Sequence, residues 1–267
     1  MNSEDDEVVT HLNAFRAILT TLTYLGLVVF LYLICKHNKC LFKGIPQFNL
    51  TTLLSLYNPF VSFCIEGFYL SIFLLSMLPT GNVPDIDEGQ LFRRNSLFSA
   101  TTLISSLLAA KHYFKISASK IMTHLPQFLI PNIVVGFIVA VFVSFLNRGN
   151  RTSDTGILSH FVIGSSVNVS LAGVNIKVWV HRSVFITVIA LHCLALEANF
   201  EQNQTLSPSL ALVSAMQIIF AIEALWNNTD FLNSYEFTHL KTGWMYLSML
   251  AYPFFVFLIT VSVINSG

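Results

Sequence analysis

The chain has 267 residues, no formal net charge and a strongly apolar composition. Hydrophobic residues make up 54% of it and charged residues only 10%, whereas a soluble domain carries about a quarter charged residues. This composition excludes an ordinary soluble domain, and no basic region indicates contact with nucleic acid. It predicts an integral membrane protein.

The predicted elements begin with an acidic tail, residues 1–12, which lacks the basic start of a secretory signal. We therefore expect the first apolar segment to be a retained membrane anchor. Seven apolar segments are candidates for membrane helices, which need roughly 20 residues. They are Asn13–Cys35, Leu53–Leu78, Ser96–Ala110, Leu125–Leu146, Ser183–Asn199, Ser209–Trp226 and Gly243–Ile264.

These apolar runs are continuous and lack the period of two that is typical of membrane barrel strands. The predicted fold is therefore all-α, a multi-pass transmembrane bundle of about seven helices in one domain, residues 13–267. The longest connection, Asn147–Arg182, is predicted to be a loop that contains Lys177. Basic residues fall on both sides of the membrane in this arrangement, so the positive-inside rule does not decide the orientation.

Cysteine and histidine spacing predicts no metal site. The four cysteines form no C-x-x-C pair and no disulfide framework. Cys64 and Cys193 lie inside apolar segments. The histidines His112, His124 and His160 stand near segment ends, where an interfacial role is the simpler interpretation.

Glu223 is a carboxylate near the end of the sixth predicted span. Phe220 precedes it by about one turn and Trp226 follows it by about one turn, so the three share one helical face. A charge in a membrane helix is expensive and marks a candidate functional site. A neutral acid in an apolar pocket can donate a proton or bond a ligand hydroxyl. The alternative is a structural hydrogen bond to a neighbouring helix.

Two other acidic positions are candidates. Glu66 lies inside the second span, with the hydroxyls of Ser62 and Tyr69 about a turn away on either side, and local hydrogen bonds are expected to satisfy it. In the polar segment after the sixth span, Glu236 and His239 stand three residues apart. Such a pair can orient a proton carrier, although a solvated interfacial loop is the simpler alternative.

Several short strings share one order and spacing from Phe15 to Pro253, and together they resemble the sterol reductase family of the endoplasmic reticulum and nuclear envelope. That family includes sterol C14-reductase and lamin B receptor. The strings are Pro208-Ser209-Leu210, Gln217, Glu223-Ala224-Leu225-Trp226-Asn227, Phe161-x-Ile163-Gly164 followed by Asn168, Leu78-Pro79-x-Gly81 and His124-x-x-Gln127-Phe128.

The resemblance implies NADPH-dependent reduction of a sterol ring double bond, in which a protein acid protonates the alkene and the cofactor supplies hydride. It implies catalytic roles for Glu223, His239 and Glu236. It implies a sterol pocket that includes Trp226, Asn227 and Gln217. It also implies residence in the endoplasmic reticulum or inner nuclear membrane, with membrane lipid and a sterol as partners. The cofactor-binding residues and any protein partner are not indicated.

The departures from the family pattern are as informative. The family reads Phe-Ile-Gly-Arg-Glu-Leu-Asn-Pro-Arg, whereas residues 161–170 read FVIGSSVNVS and lack both arginines and the glutamate. The chain also stops before the family's Arg-His-x-Asn-Tyr string. We therefore expect a domain truncated at its C-terminal end, without NADPH binding of its own and with reduction impaired or lost.

Three alternatives stay open at this level. The chain can be an incomplete form of an active delta(14)-sterol reductase. It can be a non-catalytic sterol-binding scaffold of the nuclear envelope or endoplasmic reticulum. An unrelated seven-helix receptor or transporter is disfavoured by the colinear strings and by the lack of paired repeats.

Overall fold

The computed structural model describes residues 58–78, 95–146, 161–164, 166–227, 231–232, 234–254 and 257. The acidic tail and the first predicted span, Asn13–Cys35, lie outside this part of the chain. Eight α-helices are found within it: α1 Pro59–Met77, α2 Ser96–Tyr113, α3 Ala118–Thr123, α4 Leu129–Leu146, α5 Ile176–Asn203, α6 Pro208–Trp226, α7 Tyr235–Thr238 and α8 Trp244–Leu247. Two 3₁₀ turns, Leu125–Phe128 and Ser248–Ala251, precede α4 and follow α8.

Among the described residues, three helices are long and apolar enough to cross a membrane: α1, α5 and α6. The helix α4 contains a shorter apolar stretch, Ile130–Phe145. The described strands are a two-residue antiparallel pair, β1 Ser170–Leu171 and β2 Val174–Asn175, directly before α5. The prediction of an all-α membrane bundle is thereby confirmed.

The start of α5 corrects the sequence prediction. The helix begins at Ile176, whereas the fifth span was predicted to begin at Ser183 after a loop. The side chain of Asn175 accepts hydrogen bonds from the backbone N–H groups of Lys177 and Val178 and so caps the helix. The loop prediction was wrong because it assumed that basic residues stay outside the bundle. Lys177 and Arg182 are 0% and 2% exposed.

The last predicted span, Gly243–Ile264, also differs in the part that the structure describes. It opens with the single turn α8 and continues as a 3₁₀ turn before Tyr252. Residues 255–256 and 258–264 of that span lie outside the described part. The segment therefore begins as two tight turns against α4 instead of one continuous α-helix.

A buried polar pair joins α1 to α4 and α5. The Tyr69 hydroxyl donates to the side-chain oxygen of Asn132 on α4, and the Leu250 carbonyl oxygen lies 3.3 Å from the same hydroxyl. Trp179 Nε1 on α5 donates to the Tyr69 carbonyl oxygen at 3.2 Å. Polar groups in a membrane interior need internal partners, so these bonds fix the three helices relative to each other. The Tyr69 hydroxyl therefore does not hydrogen-bond to Glu66. Glu66 is exposed, and its carboxylate accepts from Ser62 Oγ at 3.1 Å.

The chain crosses itself at two glycines, Gly164 of the family string and Gly243, whose backbones are in contact. A Cβ on Gly243 would lie 2.4 Å from the backbone nitrogen of Gly164. Gly164 has φ +96°, a left-handed conformation that favours glycine. Beside the crossing, Thr242 donates from its backbone N–H to Ser166 O at 2.8 Å and from its hydroxyl to Val167 O at 3.0 Å. The described residues 161–164 and 166–167 are therefore held through their main-chain atoms.

Glu201, near the end of α5, anchors the short helix α3. Its carboxylate accepts from the Ser117 hydroxyl at 2.6 Å and from the backbone N–H groups of Ala118 and Ser119 at 3.0 Å each. The carboxylate thus satisfies N–H groups that the first turn of a helix leaves without intrahelical partners. This contact joins the end of α2 to the end of α5, because α3 follows α2 after a four-residue connection.

Glu201→Gln is expected to loosen α3 without unfolding the bundle. The amide offers one acceptor oxygen where the carboxylate offers two, so at least one of the part-buried donors loses its acceptor. The expected cost is about 1 kcal/mol, the lower end of the range for an unsatisfied donor. Tryptic cleavage after Lys115 and Lys120 should become faster, as measured by peptide mass spectrometry. Gln202→Ala, which removes an exposed hydrogen bond to the Ser119 hydroxyl, is the control and should change the cleavage rate little. Equal rates in both variants would contradict the anchoring role.

Candidate functional site in the membrane bundle

The predicted acidic face of α6 points outward from the described bundle. Glu223 and Asn227 are exposed, Trp226 is 73% exposed and Gln217 is half-buried. Phe220, one turn before Glu223, is exposed as well. The described residues therefore do not enclose this carboxylate in a pocket. The catalytic role of Glu223 and the pocket roles of its neighbours stay predictions.

The position of this face is set by the antiparallel pairing of α5 and α6. The rings of Phe185 and Phe220 lie 5.8 Å apart, and His192 Nδ1 lies 3.1 Å from Ser214 Oγ. As residue numbers rise along α5, their partners fall along α6, which defines an antiparallel pair. The C-terminal end of α6, with Glu223, is therefore beside the N-terminal half of α5.

Side chains of this half of α5 and of the segment 231–240 form a group that we call the basic–aromatic cluster: Lys177, His181 and Phe185 of α5, with Phe231 and Phe237. The Lys177 ammonium donates to the Phe237 carbonyl oxygen at 2.7 Å and also to the Leu240 carbonyl oxygen. It lies 5.6 Å from the centre of the Phe237 ring, within the range of a cation–π interaction.

His181 completes the cluster on its other side. Its ring stacks on Phe231 with centroids 4.0 Å apart and meets the edge of Phe185 at 4.8 Å. Phe231 in turn contacts the Phe237 ring at 5.5 Å. The cluster therefore binds the segment 231–240 to α5, mainly by ring contacts and by one buried ammonium.

This segment carries the predicted pair Glu236 and His239. The backbone of Glu236 lies in α7, and its side chain is outside the described part of the structure. His239 is exposed, and its Nδ1 lies 2.6 Å from the Thr238 hydroxyl. Since Lys177 bonds to carbonyls on both sides of His239, it fixes the backbone of this residue. The structure thus brings the α6 face and the segment 231–240 to the same half of α5.

Sequence reasoning missed Lys177 and His181 as members of this site. Both were counted outside the fifth span because they interrupt an apolar pattern. One signal could have found them: Val178, Trp179 and Val180 form an apolar run between the two basic residues, and all three are buried. An apolar run of this kind is more typical of a buried element than of a solvated loop.

Comparison with known proteins agrees with the motif pattern. The Ergosterol biosynthesis ERG4/ERG24 family model matches residues 12–262. Delta(14)-sterol reductase LBR of Gallus gallus is 25% identical over 234 residues, which cover 82% of this chain and 36% of that protein. The chain thus spans about a third of the length of this relative. An unrelated receptor or transporter is excluded, because the family match covers nearly the whole chain. The protein belongs to the ergosterol biosynthesis ERG4/ERG24 family of sterol reductases.

Proposed function

We propose that this protein is a sterol-binding membrane protein in which the family reaction, NADPH-dependent reduction of a sterol ring double bond, is impaired or lost. One observation carries the proposal. The segment 161–170 keeps the glycine that crosses Gly243 but lacks the two arginines and the glutamate of the family string. The segment thus keeps the glycine needed for the backbone crossing but has lost the charged side chains of the family string.

The hydrogen bonds of this segment support that interpretation. The backbone carbonyl oxygens of Ser166 and Val167 accept hydrogen bonds that Thr242 of the crossing segment donates. Arginine is the side chain best suited to bind phosphate groups in a bidentate manner. Serine at the corresponding positions supplies no positive charge, so the segment is a poor partner for the phosphates of NADPH.

The two buried cations beside the site do not replace these arginines. The Lys177 ammonium is buried and is bonded to two carbonyl oxygens. Arg182 is 2% exposed. A phosphate ligand needs cations that face an accessible cavity, so neither residue fits that role. We therefore derive no hydride-transfer step for this chain.

The family string on α6, which the resemblance links to sterol binding, is better retained than the string at 161–170. We assign sterol binding to the α6 face around Glu223, with Trp226, Asn227 and Gln217 as neighbouring contacts. A carboxyl group on an apolar helix face can hydrogen-bond a sterol hydroxyl. His239 and Glu236 are proposed as the polar residues nearest to this face. We place the protein in the endoplasmic reticulum or inner nuclear membrane by the same family reasoning.

The reaction is tested by complementation. We expect residues 1–267 to leave a cell that lacks sterol C14-reductase without growth on sterol-free medium. The Gallus gallus relative, expressed at the same level from the same vector, is the positive control. Rescue by residues 1–267 would overturn the loss of reduction and would favour an active delta(14)-sterol reductase.

Sterol binding at α6 needs a separate measurement. We expect a photoreactive sterol alcohol to label peptides of α6, and Glu223→Gln to reduce this labelling by about two- to tenfold, the size of one net hydrogen bond. Glu66→Gln is the matched control, since Glu66 is also an exposed carboxylate on an apolar helix. Equal labelling in the two variants would remove Glu223 from the proposed binding face.

A further inference from the structure

An apolar cavity of about 540 Å³ lies between the N-terminal half of α1, the C-terminal half of α2 and the middle of α5. Phe254 and residues of the segment 116–128 also line it. Cavities that bind small organic ligands usually have volumes of about 300–1,000 Å³. None of the described lining residues comes from α6. The cavity is therefore separate from the Glu223 face.

The shape of the cavity favours one elongated, rigid molecule. Its α1 wall runs from Asn58 to Phe68, a helical rise of roughly 15 Å. Branched and aromatic side chains form the deeper part, including Ile104 of α2 and Leu191 of α5. The cavity is open on one side, where the lining residues Phe60 and Leu108 are exposed. A volume of this size accommodates a single apolar body.

The Thr187 hydroxyl, which also lines the cavity, donates to the Ser183 carbonyl oxygen at 2.6 Å. The other nitrogen- and oxygen-bearing side chains gather at one end of the cavity. They are Asn58 at the start of α1, Lys111 at the end of α2, and His124 after α3. Asn58 Nδ2 donates to the side-chain oxygen of Gln127 at 3.1 Å, and its Oδ1 caps α1. Lys111 and His124 are therefore the groups that remain suited to meet a ligand.

The charges at this end disfavour an anionic ligand. The Lys111 ammonium forms an ion pair with Glu197, and Glu201 Oε1 lies 3.5 Å from the same ammonium. Two carboxylates thus face one ammonium, which leaves no excess positive charge for a phosphate or sulfate. An ammonium has three N–H donors, and an imidazole can donate or accept. Both can bond a neutral hydroxyl.

We propose that this cavity binds one molecule of a neutral sterol alcohol, with its hydroxyl at Lys111 and His124 and its ring body between α1, α2 and α5. The site is distinct from the substrate face on α6. The proposal takes only the ligand class from the proposed function and requires no reduction.

The test uses the full chain in phosphatidylcholine nanodiscs with a photoreactive sterol alcohol. Mass spectrometry is expected to find label on peptides of α1 and α2. Unlabelled sterol alcohol should compete, and the sterol sulfate should not. Labelling of α1 and α2 that no unlabelled sterol reduces would reflect bulk lipid contact and would overturn the site. Equal competition by the sulfate would overturn the neutral headgroup.

A blocking variant locates the site. Ala190→Trp places an indole inside the cavity and is expected to reduce α1 and α2 labelling by roughly tenfold or more, because it occupies the space of the ring body. Leu212→Trp on the exposed surface of α6 is the control and should leave this labelling unchanged. Glu223→Gln should leave it unchanged too, which separates this site from the proposed α6 face. Unchanged labelling in Ala190→Trp would overturn the proposal.

A second measurement needs no variant that could misfold. Cys64 of α1 and Cys193 of α5 both line the cavity. Bound sterol alcohol should slow the reaction of Cys64 with a small membrane-permeant maleimide, as quantified on the α1 peptide. An unchanged reaction rate at saturating sterol would overturn the proposal.

Discussion

Gly243→Ala is expected to destabilise the bundle strongly. The added Cβ would lie 2.4 Å from the Gly164 nitrogen and the Ile163 carbonyl carbon, and 2.6 Å from the Val162 oxygen. All three are backbone atoms, so no side-chain rotation relieves the contact. Ordinary overpacking costs about 1–3 kcal/mol, and we expect a loss at or above the top of that range. This loss of stability is measured by thermal unfolding in detergent, with size-exclusion chromatography used to monitor the folded fraction.

Gly67→Ala is the matched control for this substitution. Gly67 lies inside α1, and a Cβ there would meet nothing within 4 Å. Alanine stabilises a helix interior by about 0.5–1 kcal/mol relative to glycine, so this variant should melt at the same temperature as the parent or slightly higher. If Gly243→Ala melts like Gly67→Ala, the backbone crossing does not exist in the folded protein.

Lys177→Met is expected to release the segment 231–240 from α5. Methionine keeps much of the side-chain volume but cannot donate to the carbonyl oxygens of Phe237 and Leu240. Each buried acceptor that loses its partner costs about 1–3 kcal/mol. Hydrogen exchange should become faster across this segment, and the free energy of unfolding should fall by a similar amount.

Lys241→Met serves as the control because it removes an exposed lysine from the same part of the chain. A surface substitution of this kind usually changes stability by less than about 0.5 kcal/mol. Faster exchange in Lys241→Met to the same extent as in Lys177→Met would mean that the segment is not held by the buried ammonium.

Apolar patterning predicted the interior of the bundle well. The sixth span was placed at Ser209–Trp226, and α6 runs from Pro208 to Trp226. Proline at the start of that helix is the expected signal, since its missing N–H would have no intrahelical partner there. Elements of this kind are predictable because their apolar residues and their end signals are adjacent in sequence.

The start of α5 was not predictable by the same reasoning. Lys177 is stabilised inside the bundle by carbonyls of Phe237 and Leu240, some sixty residues later in the chain. The residues near Lys177 in the sequence show that burying its ammonium is unfavourable, but they do not include the carbonyl acceptors that offset this cost. The cavity beside α1 was missed for a related reason, because its lining comes from elements far apart in sequence.

The candidate site was predicted in part. Motif spacing selected Glu223, Glu236 and His239, and the structure brings their two segments to the same half of α5. The enclosure of a carboxylate depends on which elements pack over it, and sequence spacing carries no such information. The sequence therefore selects Glu223 as a candidate because it is a carboxylate in an apolar helix, while its role stays a prediction.

The hydrogen-bond partners of Lys177 and His192 affect how α5 inserts into the bilayer during synthesis. Lys177 depends on the segment 237–240, and His192 depends on Ser214 of α6. Both partners are synthesised after α5. A lysine at the centre of a lone helix raises the free energy of insertion by about 2.5–3.5 kcal/mol, and by less near the ends. Insertion of α5 is accordingly most favourable when both α6 and the segment 237–240 have emerged and enter together with it.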